Sequence, residues 1–431
     1  MKIRLQSICC IAAAAALLLQ SCGNNISSVE PMPLAGPDGR TAADIRQATP
    51  TPEEVDRWVD HNSPAVLGLH KMDPEQGAAM LDSLAAIYSD RESWELRREA
   101  IRSDMRKAIG LDRLPQTFDG KVYLGEKREH DGYTVQNLGL EILPGVYSTG
   151  ALYLPAGKLK RHSCPVVVNP HGHDQRGHAA DYVQIRCAMQ ARMGCIALST
   201  DMFAYGEDSF FDSAWHKSGF AQPLQVLAVL RLIDYGLSMK AADPGRVAVT
   251  GCSGGGSVCM FATALDDRIT LSMPVVMMSS YFKGGCICES GTQLHNSAGG
   301  TGNVEIASIA APRPMLLISD GADWTAHCPD VDFPFVKRIY GFYGAEDNVE
   351  NVHFPEGQHN YDADKRQAAY AFLAARFGLD TSSLLASDGS LDESAAIVED
   401  AGTLRIWGPG GFELPEDAVT DPEVLASRLG L

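Results

Sequence analysis

From Asp73 onward, apolar residues recur at three- and four-residue spacing: Met80, Leu81, Leu84, Ile87 and Tyr88, then Trp94, Ile101, Met105 and Ile109 before Gly110. That period predicts two helices, each burying one face, with Asp73-Pro74 opening the first and Gly110 closing the second. Thr51-Pro52-Glu-Glu reads as an earlier helix start, so residues 51–114 are expected to form a helical N-terminal extension. After Pro115 the period changes to two. Tyr133 to Ile142 and Val146 to Leu154 alternate around Pro144-Gly145, which predicts a hairpin. Pro165-Val-Val-Val-Asn169 is apolar without alternation, as a short strand buried on both faces must be. Beyond it, strands and helices take turns: a strand at Cys195–Ser199, a helix at Pro223–Met239, strands at Val247–Thr250, Pro314–Ile318 and Val349–Phe354, and a closing helix at Lys365–Phe377. Such alternation predicts an α/β fold, a mostly parallel sheet flanked by helices, over residues 115–379. Residues 380–431 are acidic and rich in Ala, Ser and Gly. Only Leu404-Arg-Ile-Trp407 reads as a strand there, and the segment receives no role.

Four glycines crowd one serine where strand Val247–Thr250 runs into helical chain: Gly251-Cys-Ser253-Gly254-Gly255-Gly256. The pattern Gly-x-Ser-x-Gly between a strand and a helix fits a nucleophile elbow, in which glycines let strand and helix approach while the serine is held on a strained, exposed turn. A phosphate loop would carry a lysine and a dinucleotide loop a different glycine spacing; neither is present, and from the pentapeptide alone a plain glycine-rich turn stays open. The rest of the chain adds weight to the elbow. A serine hydroxyl needs a histidine to take its proton, and that histidine needs an acid to fix its tautomer. Asp323 and His359 follow Ser253 in that order, each just past an apolar strand. Asp323 is preferred to Asp320, which sits at the strand end beside Gly321 and can serve the turn. For the developing oxyanion, the amide of Gly254 and that of His173, in Asn169-Pro-His-Gly-His173, are the expected donors. His171 is expected to be structural, and His178 to be a solvent-facing loop residue. Tyr205, Trp215 and Trp324 are candidate pocket residues, equally readable as core.

These motifs resemble the α/β-hydrolase superfamily, and more closely the acetylxylan-esterase-like bacterial carbohydrate esterases. The resemblance covers roughly Trp94 to Leu379 and rests on Leu152-Tyr-Leu-Pro155, Pro170-His-Gly172, Asp201-Met-Phe-Ala-Tyr-Gly-Glu207, Ile233-Asp-Tyr235 before Asp243-Pro244, the elbow, Ala311-Pro-Arg-Pro314, Asp323-Trp-Thr325 and Gly357-Gln-His359. It implies a serine esterase acting on an acylated carbohydrate, most simply by deacetylating plant polysaccharides or oligosaccharides such as acetylxylan, with no cofactor and no metal. Glucuronoyl esterases also carry Gly-Cys-Ser but follow it with arginine, where this chain has Gly254; a glucuronoyl or feruloyl esterase is the alternative. A peptidase of the prolyl-oligopeptidase kind would need a propeller that the helical extension cannot form. A non-catalytic carbohydrate-binding lipoprotein on the same scaffold is the reading from another class.

Composition narrows the partners. The 431 residues carry a formal charge of -18, so nucleic acid and anionic lipid surfaces are repelled. The first 21 residues have a basic start and an apolar core too short to span a bilayer, and they end in Leu19-Gln-Ser before Cys22. They resemble a lipoprotein signal, which implies export, lipidation at Cys22, and a polar linker over 22–50 that joins the domain to its membrane anchor. Eight cysteines lie from Cys164 to Cys328. Cys286-Ile-Cys288, with His295, His327 and Cys328 nearby in sequence, raises the question of zinc, but the one-residue gap is shorter than usual ligand spacing and buried thiols or a disulfide are expected instead.

Overall fold

The computed structural model describes residues 72–114, 118–207, 213–290 and 293–429. The expected signal segment, Cys22, the linker and residues 51–71 lie outside them. Among the described residues, ten strands form one sheet: β1 (Val122–Leu124), β2 (Arg128–His130), β3 (Tyr133–Leu143), β4 (Val146–Pro155), β5 (Cys164–Pro170), β6 (Ile196–Thr200), β7 (Ala242–Cys252), β8 (Leu271–Val275), β9 (Met315–Asp320) and β10 (Val349–Phe354). Their order is β1-β3-β4-β6-β5-β7-β8-β9-β10, with β2 also on β3. The β3–β4 hairpin and its neighbours pair antiparallel, while β6, β5, β7, β8, β9 and β10 run parallel. This is the α/β-hydrolase arrangement.

The parallel half is buried on both faces, as its unbroken apolar runs require. Val166 and Val168 of β5, with Val247 and Val249 of β7, point into the larger core. Val167 and Ala248 point into a second core on the opposite face. Helices Ala221–Ser238 and Gly254–Leu265 cover the first face, and every residue of the second of these is buried. Helix Ala363–Phe377 covers the other face through Tyr370, Phe372 and Leu373. The chain changes direction of travel across the sheet at β5, which has β6 on one side and β7 on the other. Ligands bind at such a switch point, beyond the carboxyl ends of the strands.

The two N-terminal helices are Pro74–Ala85, with an Asp73 capping box, and Arg91–Ala108. The first stops before Ile87, which is exposed, while Tyr88 turns inward. Trp94, Ile101 and Met105 are fully buried in the main core, so these helices are part of it. A buried ion pair ties the second of them to helix Asn303–Ser308 and the loop before it: Arg97 donates from Nε and Nη2 to both oxygens of Glu305 at 2.9 Å and to the carbonyls of Ala298 and Gly300 at 2.6 Å. The C-terminal segment is not a strand at Leu404–Trp407. Its polar backbone is bound by side chains instead of a ladder: Asn137 donates to the carbonyls of Thr403 and Arg405, and Glu207 accepts from the amides of Ile406 and Trp407. Leu404, Ile406 and Trp407 are buried against the antiparallel strands, and helix Pro422–Leu429 returns Leu425 and Leu429 to the main core.

Arg97→Met should leave Glu305 buried without its cation and lower the unfolding free energy by about 3–5 kcal/mol, read by chemical denaturation. Adding Glu305→Met should recover part of that loss, because an apolar pair needs no charge compensation.

Candidate active site

β7 delivers Ser253 at its end in a conformation that non-glycine residues avoid, φ 55° and ψ -125°. Its amide donates to the Val275 carbonyl of β8 at 3.1 Å, which holds the turn from the neighbouring strand. The flanking glycines answer to crowding: a Cβ at Gly251 or Gly255 would lie 2.6–2.7 Å from the Pro170 carbonyl at the end of β5. Gly172 follows the same logic on the other strand, since a Cβ there would come within 3.2 Å of Ser253 Cβ. The Pro170–His173 turn therefore lies directly against the serine. Helix Gly254–Leu265 begins at once and aims its N-terminus at this place.

β9 and β10 pair in parallel register, with Phe354 opposite Asp320, so the loops beyond them emerge side by side. Asp323 Oδ2 and His359 Nδ1 are hydrogen bonded across these loops. The other oxygen of Asp323 accepts from the Thr325 amide and hydroxyl, both at 2.6 Å. Asp320 plays a different part. It accepts from the Ala322 amide and lies 3.4 Å from Lys365 Nζ, and both side chains are fully buried. Lys365 in turn donates to the Gln358 carbonyl and to Asn360 Oδ1, clasping the residues on either side of His359.

Trp324 is buried, with its ring centroid 4.5 Å from that of His359 and 4.1 Å from that of Phe282, so it is both core and wall. Tyr205 stands over His216 at 4.4 Å and near His173 at 5.8 Å. Trp215 packs, partly buried, on the main core one residue before His216.

His171 is buried, accepts from the Met202 amide at Nε2 and donates from Nδ1 to the Gly172 carbonyl. His178 corrects the sequence expectation: it is buried, not solvent-facing. Its amide and Nδ1 both bond Asp201, whose carboxylate also accepts from Thr149 and the Glu207 amide. Burying this aspartate demands such a ring of donors, and His178 is one of them. Its neighbouring histidines hold the Asp201 carboxyl far below the usual range, against the opposing effect of burial.

Cys286 and Cys288 keep different company from the residues near them in sequence. Neither is in a disulfide, and His295, bonded to Asn303, is not beside them. Instead they meet His173 and His216 from distant parts of the chain. His173 and His216 lie far from the cysteines in sequence, so no local ligand spacing marks this cluster.

Among known proteins, a family profile described as glucuronyl esterase of fungi matches residues 152–299, from the β4 end through the elbow. The chain is 40% identical to the methylesterase BT1017, over 83% of this chain and 79% of that one, with a TM-score of 0.77. It belongs to the esterase family of methylesterase BT1017. As a member of that family it is a carboxylic ester hydrolase of the carbohydrate-esterase kind. A glucuronoyl esterase from Solibacter usitatus shares the fold at 16% identity, over 67% of this chain and 94% of that one, with a TM-score of 0.50. No curated protein sequence matches the chain.

Burial pushes the Asp323 carboxyl up to about 6, opposed by the Thr325 hydrogen bonds, and pushes the His359 imidazolium down to about 4. The pair thus takes up its first proton near pH 6 and a second only well below it. An imidazole acting as base must be in the unprotonated pair, so kcat/KM should rise with pH through about 6 and then level. Asp323→Asn should move the surviving acid limb downward, because burial then opposes the imidazolium without the Asp323 carboxylate, leaving only the more distant Asp320 and Glu289 to favour it. A pH–rate profile that leaves the limb in place for the variant would refute this assignment.

Proposed function

We propose that the protein is a serine esterase that removes methyl groups from esterified uronic acid residues of a polysaccharide. The hydrogen-bonded Asp323–His359 pair and the strained Ser253, each beyond the carboxyl end of a parallel strand, support this mechanism. Ser253 Oγ attacks the uronyl carbonyl carbon while His359 takes its proton and Asp323 orients the imidazole. The amides of Gly254 and His173 hold the oxyanion. His359 returns the proton to the leaving oxygen, releasing methanol. Water, activated by the same histidine, then frees the carboxylate and regenerates the serine.

Substrate choice rests on the 40% identity to a methylesterase. The acidic charge of the protein does not disfavour this substrate, since an esterified uronate carboxyl is neutral and becomes charged only in the product. Gly254 is also not an open place awaiting an arginine. A Cβ there would lie 2.7 Å from Met202 Cε and 2.9 Å from His173 Cε1, so any side chain at this position meets both.

The deciding experiment compares kcat/KM on methyl-esterified uronate oligosaccharides, acetylated xylo-oligosaccharides and feruloylated sugars, with the methyl ester expected to be preferred. A clear preference for the acetyl ester would return the assignment to acetylxylan. Ser253→Ala and His359→Ala should each lose on the order of 10⁶-fold in kcat, and the double variant little more. Asp320→Asn should instead lower the denaturation midpoint, since it removes the buried carboxylate that faces the Lys365 cation, and spare kcat in the folded fraction.

Cys22 is proposed to carry a lipid that tethers the exported protein to a bacterial membrane, on the strength of Leu19-Gln-Ser-Cys22. Cys22→Ala should move the protein from the membrane to the soluble fraction; unchanged fractionation would sink the tether.

A further inference from the structure

Three loops converge beside Ser253. His173 comes from the turn after β5, His216 from the segment after β6, and Cys286 and Cys288 from the segment after β8. One ligand atom from each lies within 4.8 Å of all the others, and His173 Nε2 is 3.2 Å from Cys288 Sγ. Among the described residues this is the one group of its kind.

The surroundings are arranged for a cation. His216 is buried, and its Nδ1 donates to the Phe203 carbonyl at 2.7 Å, which fixes the tautomer and leaves Nε2 with a lone pair and no hydrogen-bond partner. The opposite nitrogen of His173, Nδ1, faces Glu289 Oε1 at 4.0 Å. Glu289 is buried and is itself held by the amides of Gly285 and Cys286. A backbone carbonyl behind one histidine and a carboxylate behind the other are what ligating imidazoles normally have in their outer shell.

We propose that His173, His216, Cys286 and Cys288 bind one zinc ion. Zinc bonds of about 2.3 Å to sulfur and about 2.0–2.1 Å to nitrogen place the ligand atoms of a tetrahedral site roughly 3.3–3.8 Å apart. The observed cluster needs only small side-chain shifts to reach that. Two thiolates and two neutral imidazoles select zinc over the hard cations, and their two negative charges balance the ion, so the buried site gains no net charge. On binding, both thiol protons leave to solvent. With four protein ligands the ion is closed to water and substrate. Its effect on catalysis is positional: it staples three loops and fixes His173, whose ring packs on Gly254 and whose amide serves the oxyanion in the proposed mechanism.

The positional role rests on the proposed serine mechanism; metal binding does not, and is tested apart from activity. Untagged full-length protein from zinc-containing medium, dialysed exhaustively, should retain one zinc per chain by elemental analysis. Cobalt(II) exchanged into it should give the intense visible bands of a tetrahedral ion together with thiolate-to-cobalt charge transfer. Cys288→Ser and His216→Ala should each lose the zinc, whereas Cys328→Ser should keep it. Should the variants fail to fold, the cobalt spectrum of the unaltered protein decides. Absence of zinc after reconstitution, a Cys286–Cys288 disulfide by mass spectrometry, or zinc retained in the Cys288→Ser, His216→Ala double variant would each overturn the proposal. Zinc present with an inactive Ser253→Ala variant leaves the site standing and speaks only to the serine.

Discussion

β5 and β7 touch where both run out, and the contact has no room for a side chain. Gly251 and Gly255 lie against the Pro170 carbonyl, Gly172 against Ser253. Everything at the site follows from this crowding. Because the helix must start immediately after β7, Ser253 is forced to positive φ and its side chain is lifted clear of the sheet. The β5 turn is pressed against the same point, which brings Gly172 against Ser253 and the His173 ring against Gly254. Strain at one residue is sustained by a sheet buried on both faces and by a fully buried helix behind it.

Buried charges then set the loops around that point. Asp201, bonded to His178, Thr149 and the Glu207 amide, fixes the start of the segment that carries Tyr205 and leads to His216. Glu207 extends the hold to the C-terminal segment through Ile406 and Trp407. On the far side, Asp320 and Lys365 secure the loop of His359. A buried charge is costly unless its partners are complete, so each of these is less a source of net stability than a device that permits one loop arrangement.

Sequence made the sheet and the serine legible because both leave local traces. Unbroken apolar runs mark β5 and β7, and the Gly-x-Ser-x-Gly spacing marks the elbow; the parallel strands and the closing helix lie within a few residues of their expected places. Helix Asp181–Arg192 and strand β8 left weaker traces. The helix is buried on more than one side and carries Gln184, Arg186 and Gln190 inward, while β8 contains Pro274. Non-local arrangements left none. His178 reads as a loop histidine until Asp201 is placed beside it, and Leu404–Trp407 reads as a strand until Glu207 and Asn137 are found holding its backbone. The cysteine pair shows the same limit from the other direction, since half of its cluster comes from positions 173 and 216.

The charge of the molecule bears on the proposed reaction at a later stage than binding. A uronate methyl ester approaches an acidic protein of net charge -18 as a neutral acyl group, so no desolvated carboxylate has to be matched in the pocket. Deacylation then creates that carboxylate beside Asp323, Glu289 and the acidic surface, where the potential is unfavourable to it. Substrate and product differ by one negative charge, and the protein's field acts on that difference alone. Glucuronoyl esterases resemble this elbow but place an arginine after the serine, which would add a cation for the oxyanion. With glycine at 254, the proposed mechanism leaves the oxyanion to backbone amides, which serve the transition state and put no cation at that position to retain the product.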